Sequence, residues 1–276
     1  MVGRGEWGYA HNHQGRFATF LFFTAALAVG VALADAFEDG RTAYKRGDYA
    51  AAVKEWRPLA EAGDAEVQFY LGTMHGHGRG VAQDDAKAVS WYRKAADQRL
   101  AMAELNLGIM YENGLGVARD YSAAAEWFRR AAGQGDGEAQ YHLGTLYGHG
   151  QGVPQDDGEA LKLYRQAADQ GLAKAQHDVG AMYAAGLGVA RDDGEAAAWF
   201  RRAAEQGYRP AQYKLGILYA AGQGVTRDHV LAHMWWSLSA RQGNRGAGEA
   251  RDDVERLMTD TMIEEAEELA RRWQAK

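Results

Sequence analysis

Apolar residues recur along most of the chain at the spacing of amphipathic helices. Within residues 139–147 they fall at i, i+4, i+7 and i+8, which is one face of a helix with 3.6 residues per turn. Residues 160–168 repeat the pattern at i, i+3, i+4, i+7 and i+8. The two sets are Ala139, Leu143, Leu146 and Tyr147, then Ala160, Leu163, Tyr164, Ala167 and Ala168. A glycine-rich segment separates them, so the pattern predicts two helices joined by a loop.

This helix–loop–helix pattern occurs five times. The loop reads GRGVAQD, GLGVARD, GQGVPQD, GLGVARD and GQGVTRD, and each copy starts 36 residues after the previous one, at Gly78, Gly114, Gly150, Gly186 and Gly222. A fixed period of this length is typical of solenoid proteins, in which each unit buries its apolar face against its neighbours. The predicted repeats are residues 64–99, 100–135, 136–171, 172–207 and 208–243.

The glycines and aspartates of the loop are predicted to be architectural. Gly150 suits the left-handed residue that ends the first helix, Gly152 allows a tight backbone path, and Val153 fills the gap between the helices. Asp156 stands where the second helix needs an N-cap. A phosphate site is disfavoured, because the loop has no lysine and follows a helix instead of a strand. The equivalent aspartates are Asp84, Asp120, Asp192 and Asp228.

Both ends of the chain depart from the repeat. Residues 37–63 are a degenerate leading repeat, since GDYAAAVKEWRPLAEAG is in phase with the later second helices. Residues 244–276 are predicted to form two capping helices, 247–258 and 261–274. Their expected apolar face is Leu257, Met258, Ile263, Leu269 and Trp273.

The first 34 residues resemble an export signal. Arg4 and Arg16 precede an apolar run over residues 17–34, which ends in Ala32-Leu33-Ala34, a small-x-small cleavage pattern. The alternative is an uncleaved anchor helix, because a run of this length is marginally sufficient to span a bilayer. The expected location is periplasmic or secreted.

Composition narrows the function classes. The net charge of −6 over 276 residues argues against nucleic-acid binding through a basic surface. Cysteine is absent, which excludes disulfides, zinc–thiolate sites and a cysteine nucleophile. His229 and His233 have the i, i+4 spacing of a metal pair, but the stretch HVLAH lacks the glutamate of a zinc protease. The serines lack a nucleophile-elbow context. We therefore expect no catalytic residues, no metal, no cofactor and no enzymatic activity.

The repeat resembles the Sel1-like repeat, a relative of the tetratricopeptide repeat with a longer loop between its helices. The stretch AEWFRRAAGQGDGEAQYHLGTLY, residues 125–147, carries the resemblance most closely, and residues 64–243 share it. The resemblance implies an all-α fold, a right-handed α-α superhelix of five repeats with terminal capping helices. It also implies that the first helices line a concave surface.

Positions that vary between repeats are the candidates for binding. They lie three and two residues before the glycine that recurs at Gly72, Gly108, Gly144, Gly180 and Gly216. Aromatic residues dominate binding hot spots, and the first of these rows is mostly aromatic. The alternative is that this row only packs the first helices together. The candidate binding residues are Phe69, Tyr70, Asn106, Tyr141, His142, His177, Asp178, Tyr213 and Lys214.

The expected function is a non-enzymatic scaffold or regulator of the bacterial envelope that binds a protein or peptide on the concave face. One alternative is an envelope hydrolase or β-lactam-binding protein, which the resemblance allows but the missing cysteines and missing catalytic constellation disfavour. Another is a polysaccharide-associated scaffold, because aromatic rings stack on sugars. No nucleic-acid partner is expected, and membrane contact only through residues 1–34.

Overall fold

The computed structural model describes residues 35–274, and these residues form α-helices and no strands. The predicted signal or anchor segment, residues 1–34, lies outside the described residues. Residues 35–45 are helical (α1). The helices that follow are α2 Tyr49–Glu61, α3 Ala65–His77, α4 Asp85–Asp97, α5 Ala101–Asn113, α6 Tyr121–Gly133, α7 Gly137–His149, α8 Asp157–Asp169, α9 Ala173–Ala185, α10 Asp193–Glu205, α11 Arg209–Ala221, α12 His229–Arg241, α13 Arg245–Glu255 and α14 Asp260–Arg272.

The predicted all-α repeat fold is confirmed. We call α3, α5, α7, α9 and α11 the A helices, and α4, α6, α8, α10 and α12 the B helices. The chain divides between Gln98 and Arg99 into two compact units. Within each unit an A helix packs on the B helix of its own repeat. Within the second unit, α6, α8 and α10 also pack on the A helix that follows them, and within the first unit α2 packs on α3. Within residues 35–274, no helix combines the length and apolarity needed to cross a membrane.

The A helix approaches the B helix closely at the glycine in its middle. A Cβ on Gly108 would overlap the ring of Phe128, and a Cβ on Gly216 would overlap the ring of Trp236. Gly40 of α1 meets Trp56 of α2 in the same way. Because glycine admits the large ring, the two helices can lie close together. Residues 35–61 are therefore a helical hairpin of the same design with a shorter loop.

Each B helix carries two consecutive bulky residues, of which the second is buried in every repeat and the first varies in its burial. Phe128 and Phe200 are fully buried. Trp199 is also buried, whereas Trp91 and Trp127 are only partly so. These two tryptophans lie under cations, Trp91 under Lys94 and Trp127 under Arg130, at 4.1 and 4.4 Å. In the first two repeats this tryptophan therefore lies at the edge of the core, with one face covered by a cation.

The loop residues take their predicted roles, and one glycine has a further role. Gly150 ends α7 in the left-handed conformation, with φ 63°. The Asp156 carboxylate accepts a hydrogen bond from the Glu159 amide at 2.9 Å, which caps α8. Gly152 lies against the backbone of Tyr121 and Ser122, at the start of the preceding B helix, where a Cβ would overlap the Tyr121 carbonyl. The second loop glycine is therefore a contact between repeats.

A pair of glutamines joins the A and B helices of most repeats near one edge. Gln140 accepts a hydrogen bond from Gln170 at 2.9 Å, and Gln176 accepts one from Gln206 at 2.8 Å. Gln176 also donates to the carbonyl of Ala168 in the previous repeat. Because the amide both donates and accepts, one side chain satisfies polar groups in two repeats.

Glu104 replaces the A-helix glutamine in the second repeat. Its side chain is 1% exposed and accepts hydrogen bonds from Arg130 at 2.9 Å and from Gln134 at 2.6 Å. Glu104 is thus an acidic residue that lies neither at a helix cap nor on an exposed face. A carboxylate can be buried here because a guanidinium and an amide replace its lost hydration.

Among the first four repeats, the hydrogen bonds also show a longer period, in which alternate repeats match. In the first repeat the Tyr92 hydroxyl donates to Thr73 Oγ1 at 3.2 Å, and His77 Nδ1 lies 2.9 Å from the Thr73 carbonyl oxygen. The third repeat repeats both contacts with Tyr164, Thr145 and His149, at 3.2 and 2.8 Å. The A helices of these two repeats begin at capping aspartates, whereas those of the second and fourth begin at leucines that make no side-chain cap.

The C-terminal helices pack on α12, and each contacts it separately. Thr259 caps α14, since its hydroxyl accepts a hydrogen bond from the Met262 amide. The predicted apolar face is wrong in part, because Leu257 is 69% exposed and Leu269 is also exposed. The buried residues are instead Ala247, Val254, Ala266 and Ala270. These small side chains pack beside the large rings of α12, Ala247 and Val254 in the cluster that contains Trp236, and Ala270 in the cluster that contains Trp235.

Candidate binding surface on the A helices

The first row of candidate residues is half-buried against the B helices. The ring centroids of Tyr141 and Tyr164 are 5.4 Å apart, and those of His177 and Phe200 are 5.3 Å apart. Phe69 makes the same contact with Tyr92 at 5.7 Å. Each of these side chains therefore packs within its own repeat and leaves only part of its surface accessible.

The second row meets the preceding repeat. Tyr70 stacks on Trp56 at 4.9 Å, and His142 stacks on Phe128 at 5.0 Å. His142 Nδ1 also lies 3.1 Å from the Glu112 carboxylate. Asn106 donates to the carbonyl of Met102 in its own helix. Packing thus holds the aromatic members of this row in fixed orientations, which lowers the entropy lost on binding.

Three of the candidate residues form one hydrogen-bonded group. The Tyr141 hydroxyl donates to Asp178 Oδ2 at 2.9 Å, and His177 Nδ1 lies 2.8 Å from Asp178 Oδ1. Burial, followed by the negative charge of Asp178, raises the pKa of Tyr141. His177 Nε2 is buried and makes no hydrogen bond. The carboxylate therefore orders two neighbouring rings from adjacent repeats.

A cation and an ion pair border this group. Lys174 Nζ lies 4.2 Å from the centre of the Tyr141 ring and 2.6 Å from the Glu138 carboxylate. Burial and Asp178 also raise the pKa of Tyr208, whose ring lies 5.6 Å from that of His177. These residues form an aromatic patch with polar groups at its edge. Such a patch is better suited to binding a protein surface than to binding a small ion.

The last two candidates are neighbours on α11. Tyr213 is half-buried, and its carbonyl accepts a hydrogen bond from Trp236 Nε1 at 3.1 Å. Lys214 is exposed and lines a cavity of about 320 Å³ between α9 and α11. The structure thus brings together Tyr141, His177 and Asp178. A second candidate position on the same unit is formed by Tyr213 and Lys214. The other unit contains Phe69 and Tyr70.

Sequence reasoning missed a polar cleft at the C-terminal cap. The cleft holds about 560 Å³; its floor is one stripe of α12, made of His233, Ser237 and Arg241, and its walls are α13 and α14. The Ser237 hydroxyl lies 3.4 Å from His233 Nδ1, and His233 Nε2 lies 2.8 Å from Glu255 Oε1. The i, i+4 spacing of His233 and Ser237 was the available signal, but Glu255 comes from a helix whose packing the sequence does not specify.

His233, one of the two histidines with metal-pair spacing, lies 2.8 Å from Glu255 Oε1 in this cleft. Its side chain is 1% exposed and joins α12 to α13. Among residues 35–274, no group of three or more histidine or carboxylate side chains is placed to hold a metal ion. The imidazole therefore serves as a polar link between the last repeat and the cap.

Comparison with known proteins agrees with the repeat architecture. The Sel1 repeat model matches residues 65–100, 101–136, 137–172, 173–208 and 209–244. A comparison with curated proteins finds no match. Sel1 repeat proteins are generally scaffolds for protein–protein interactions.

Two solved structures are similar over most of the chain. One is a protective antigen of uropathogenic Escherichia coli strains with an SLR fold, at 36% identity and a TM-score of 0.80, covering 87% of this chain. This chain spans 52% of that protein, about half its length. The other is a Sel1 repeat protein from Oxalobacter formigenes, at 33% identity and a TM-score of 0.74, covering 86% of this chain and 96% of that one. The chain belongs to the Sel1 repeat family.

Proposed function

We propose that the chain is a non-enzymatic scaffold or regulator of the bacterial envelope that binds a protein or peptide partner on the exposed face of its A helices. The A-helix positions that build the core scarcely change between repeats, whereas the two candidate rows change in size, charge and aromaticity. A structural role explains constancy at the core positions. Variation on one face is what recognition of a specific partner requires.

The observation that carries the proposal is the Tyr141–Asp178–His177 group. Two partly exposed rings from adjacent repeats are fixed by one carboxylate, and Lys174 covers one of them. Fixed aromatic side chains lose little conformational freedom on binding, and they dominate interface energies. The envelope location rests on the apolar run of residues 17–34 with its preceding arginines.

Co-purification from the envelope fraction tests this function. The full chain with a C-terminal tag is compared with Tyr141→Ala plus Tyr213→Ala, and with the control Glu159→Ala plus Lys162→Ala, an exposed pair on a B helix. Circular dichroism checks that each variant is folded. We expect the partner to be lost only from the first variant. Equal recovery of the partner with both variants would refute binding on this face.

A second candidate function, an envelope hydrolase, has one observation in its favour. Ser237, His233 and Glu255 form a hydrogen-bonded series inside the polar cleft, in the order of a nucleophile, a base and an orienting acid. However, Ser237 lies inside α12, where backbone N–H groups are bonded within the helix, so they cannot stabilise an oxyanion. Labelling with a fluorophosphonate decides the question. Labelling that disappears in Ser237→Ala would support a hydrolase, and no labelling would exclude a reactive serine.

A further inference from the structure

The cavity beside Lys214 lies between two A helices of the same unit and is mostly apolar. α9 and α11 form its walls, and Phe200 of α10 contributes from below. Its volume of about 320 Å³ lies at the small end of the range of roughly 300–1,000 Å³ for ligand pockets. The space therefore suits one or two side chains of a larger partner. The apolar residues that line it are Ala181, Ala184, Ala185, Phe200, Ile217 and Leu218.

Small side chains at Ala181 and Ala185 leave this space open. In the preceding repeat, the residues 36 positions before them are Thr145 and His149, which are larger. There the imidazole of His149 turns back along α7, and its Nδ1 lies 2.8 Å from the Thr145 carbonyl oxygen. Ala185 has no side chain that could reach back in this way. The cavity therefore follows from residues that differ between repeats, in the same manner as the candidate binding rows.

Lys214 places a positive charge at the edge of the cavity. The side chain is exposed and forms no salt bridge with any described residue. α11 contains Arg209 and Lys214 and no acidic residue. The nearest acid in the same row, Asp178, is held by Tyr141 and His177. Although the chain carries a net charge of −6, Lys214 provides a local positive charge that can bind an acidic group.

We propose that this cavity is the docking point for an extended segment of a partner protein, which inserts one apolar side chain and sets a neighbouring acidic side chain against Lys214. The proposal rests on the proposed scaffold function and names the chemistry of its partner. The apolar side chain gains by leaving water, and the carboxylate gives direction to the segment. Gln223, which also lines the cavity, supplies an amide that can bond the backbone of the segment.

Peptide display on the immobilised full chain tests this proposal. We expect the wild type to enrich peptides with an apolar residue beside Asp or Glu. A selected peptide, labelled with fluorescein, is then titrated by anisotropy against four proteins. The first is the wild type, and the second is Lys214→Asp, which introduces the residue found at the equivalent position of the preceding repeat. The third is Ala185→His, which introduces at the edge of the cavity the larger side chain that the third repeat has at this position. The control is Lys54→Asp, which makes the same charge change at an exposed position of α2.

We expect at least tenfold weaker binding by Lys214→Asp and Ala185→His, and no change in Lys54→Asp. A peptide with lysine in place of its acid should bind Lys214→Asp better than the wild type does. Enrichment without an acidic residue, or equal binding by Lys214→Asp, would overturn the proposal. Peptides that bind both cavity variants normally but not Tyr141→Ala plus Tyr213→Ala would retain the scaffold function and reject this docking point.

Discussion

The backbone of Gly152, in the loop of the third repeat, lies directly against the carbonyl group of Tyr121 at the start of the second repeat's B helix. Ser122 strengthens the contact, because its hydroxyl donates to the Gly152 carbonyl at 3.1 Å. The loop of one repeat therefore closes on the helix of the repeat before it.

This contact predicts that Gly152→Ala is more damaging than a change at a glycine with free space around it. Gly135 is the control, because it also has positive φ but a Cβ there would meet nothing within 4 Å. Gly135→Ala should cost about 1–3 kcal/mol of backbone strain. Gly152→Ala should cost about 1–3 kcal/mol more, because two backbones must separate. Urea denaturation measures both, and equal losses would show that the contact yields without cost.

The contacts of Glu104 predict that the protein tolerates replacement of this carboxylate by the corresponding amide. Glu104→Gln should retain stability within about 1 kcal/mol, because Gln134 can donate to an amide oxygen as its equivalents do in the other repeats. Glu104→Ala should lose about 2–4 kcal/mol, since it removes buried contacts and leaves a void. Denaturant unfolding of both variants provides the measurement. If Glu104→Gln is as unstable as Glu104→Ala, then Arg130 requires the negative charge of the carboxylate as its partner.

Tyr141 predicts a pH-dependent contribution to stability on the alkaline side. Burial and the Asp178 charge raise its folded pKa above the ordinary value of 10.0. A raised folded pKa means that the stabilisation is complete below the unfolded pKa and is lost as the pH rises through 10 and beyond. The free energy of unfolding of the wild type should therefore exceed that of Tyr141→Phe by about 1 kcal/mol at pH 8. This difference should shrink above pH 10. A difference that is constant from pH 8 to 11 would contradict the assignment.

Asp84 predicts the opposite dependence on the acid side. Hydrogen bonding from the backbone amide of Lys87, then from its side chain, holds the pKa of Asp84 below the ordinary value of 3.8. A lowered folded pKa gives stabilisation that is present above the unfolded pKa and is lost as the pH falls through the folded one. The denaturation midpoint of Asp84→Ala should lie below that of wild type at pH 7 and approach it below pH 3.8. Asp84→Asn, which cannot titrate, should keep a constant offset from Asp84→Ala.

Local features of the fold could be predicted from the sequence, since they depend on residues close together in the chain. The left-handed Gly150 and the capping Asp156 each act within a few residues of their own position. The 36-residue spacing then fixes their copies. The apolar face of the cap could not be predicted in the same way, because α13 and α14 each meet α12 through small residues that carry little hydrophobic signal.

The candidate site could be predicted only as a set of positions. Variation among repeats identified Tyr141, His177 and Asp178, but the hydrogen bonds that join them cross from one repeat to the next. The cavity beside Lys214 depends on small side chains at Ala181 and Ala185, and a sequence pattern shows which residues are present more readily than the space between them. The Ser237–His233–Glu255 cleft could not be predicted either, because Glu255 comes from another helix whose packing the sequence does not specify.

The hydrogen bonds shared by the first and third repeats give the first four repeats a period of 72 residues, twice the visible one, and the fifth repeat, which starts at Tyr208, lies outside it. Deleting residues 136–207, the third and fourth repeats, would join a leucine-started repeat to the fifth repeat, the same kind of junction that the fourth repeat makes now. Deleting the fourth repeat alone would join an aspartate-started repeat to the fifth, a junction that the chain does not contain. The length of the array can therefore change most readily in steps of two repeats, so its surface would be gained or lost in pairs of A helices.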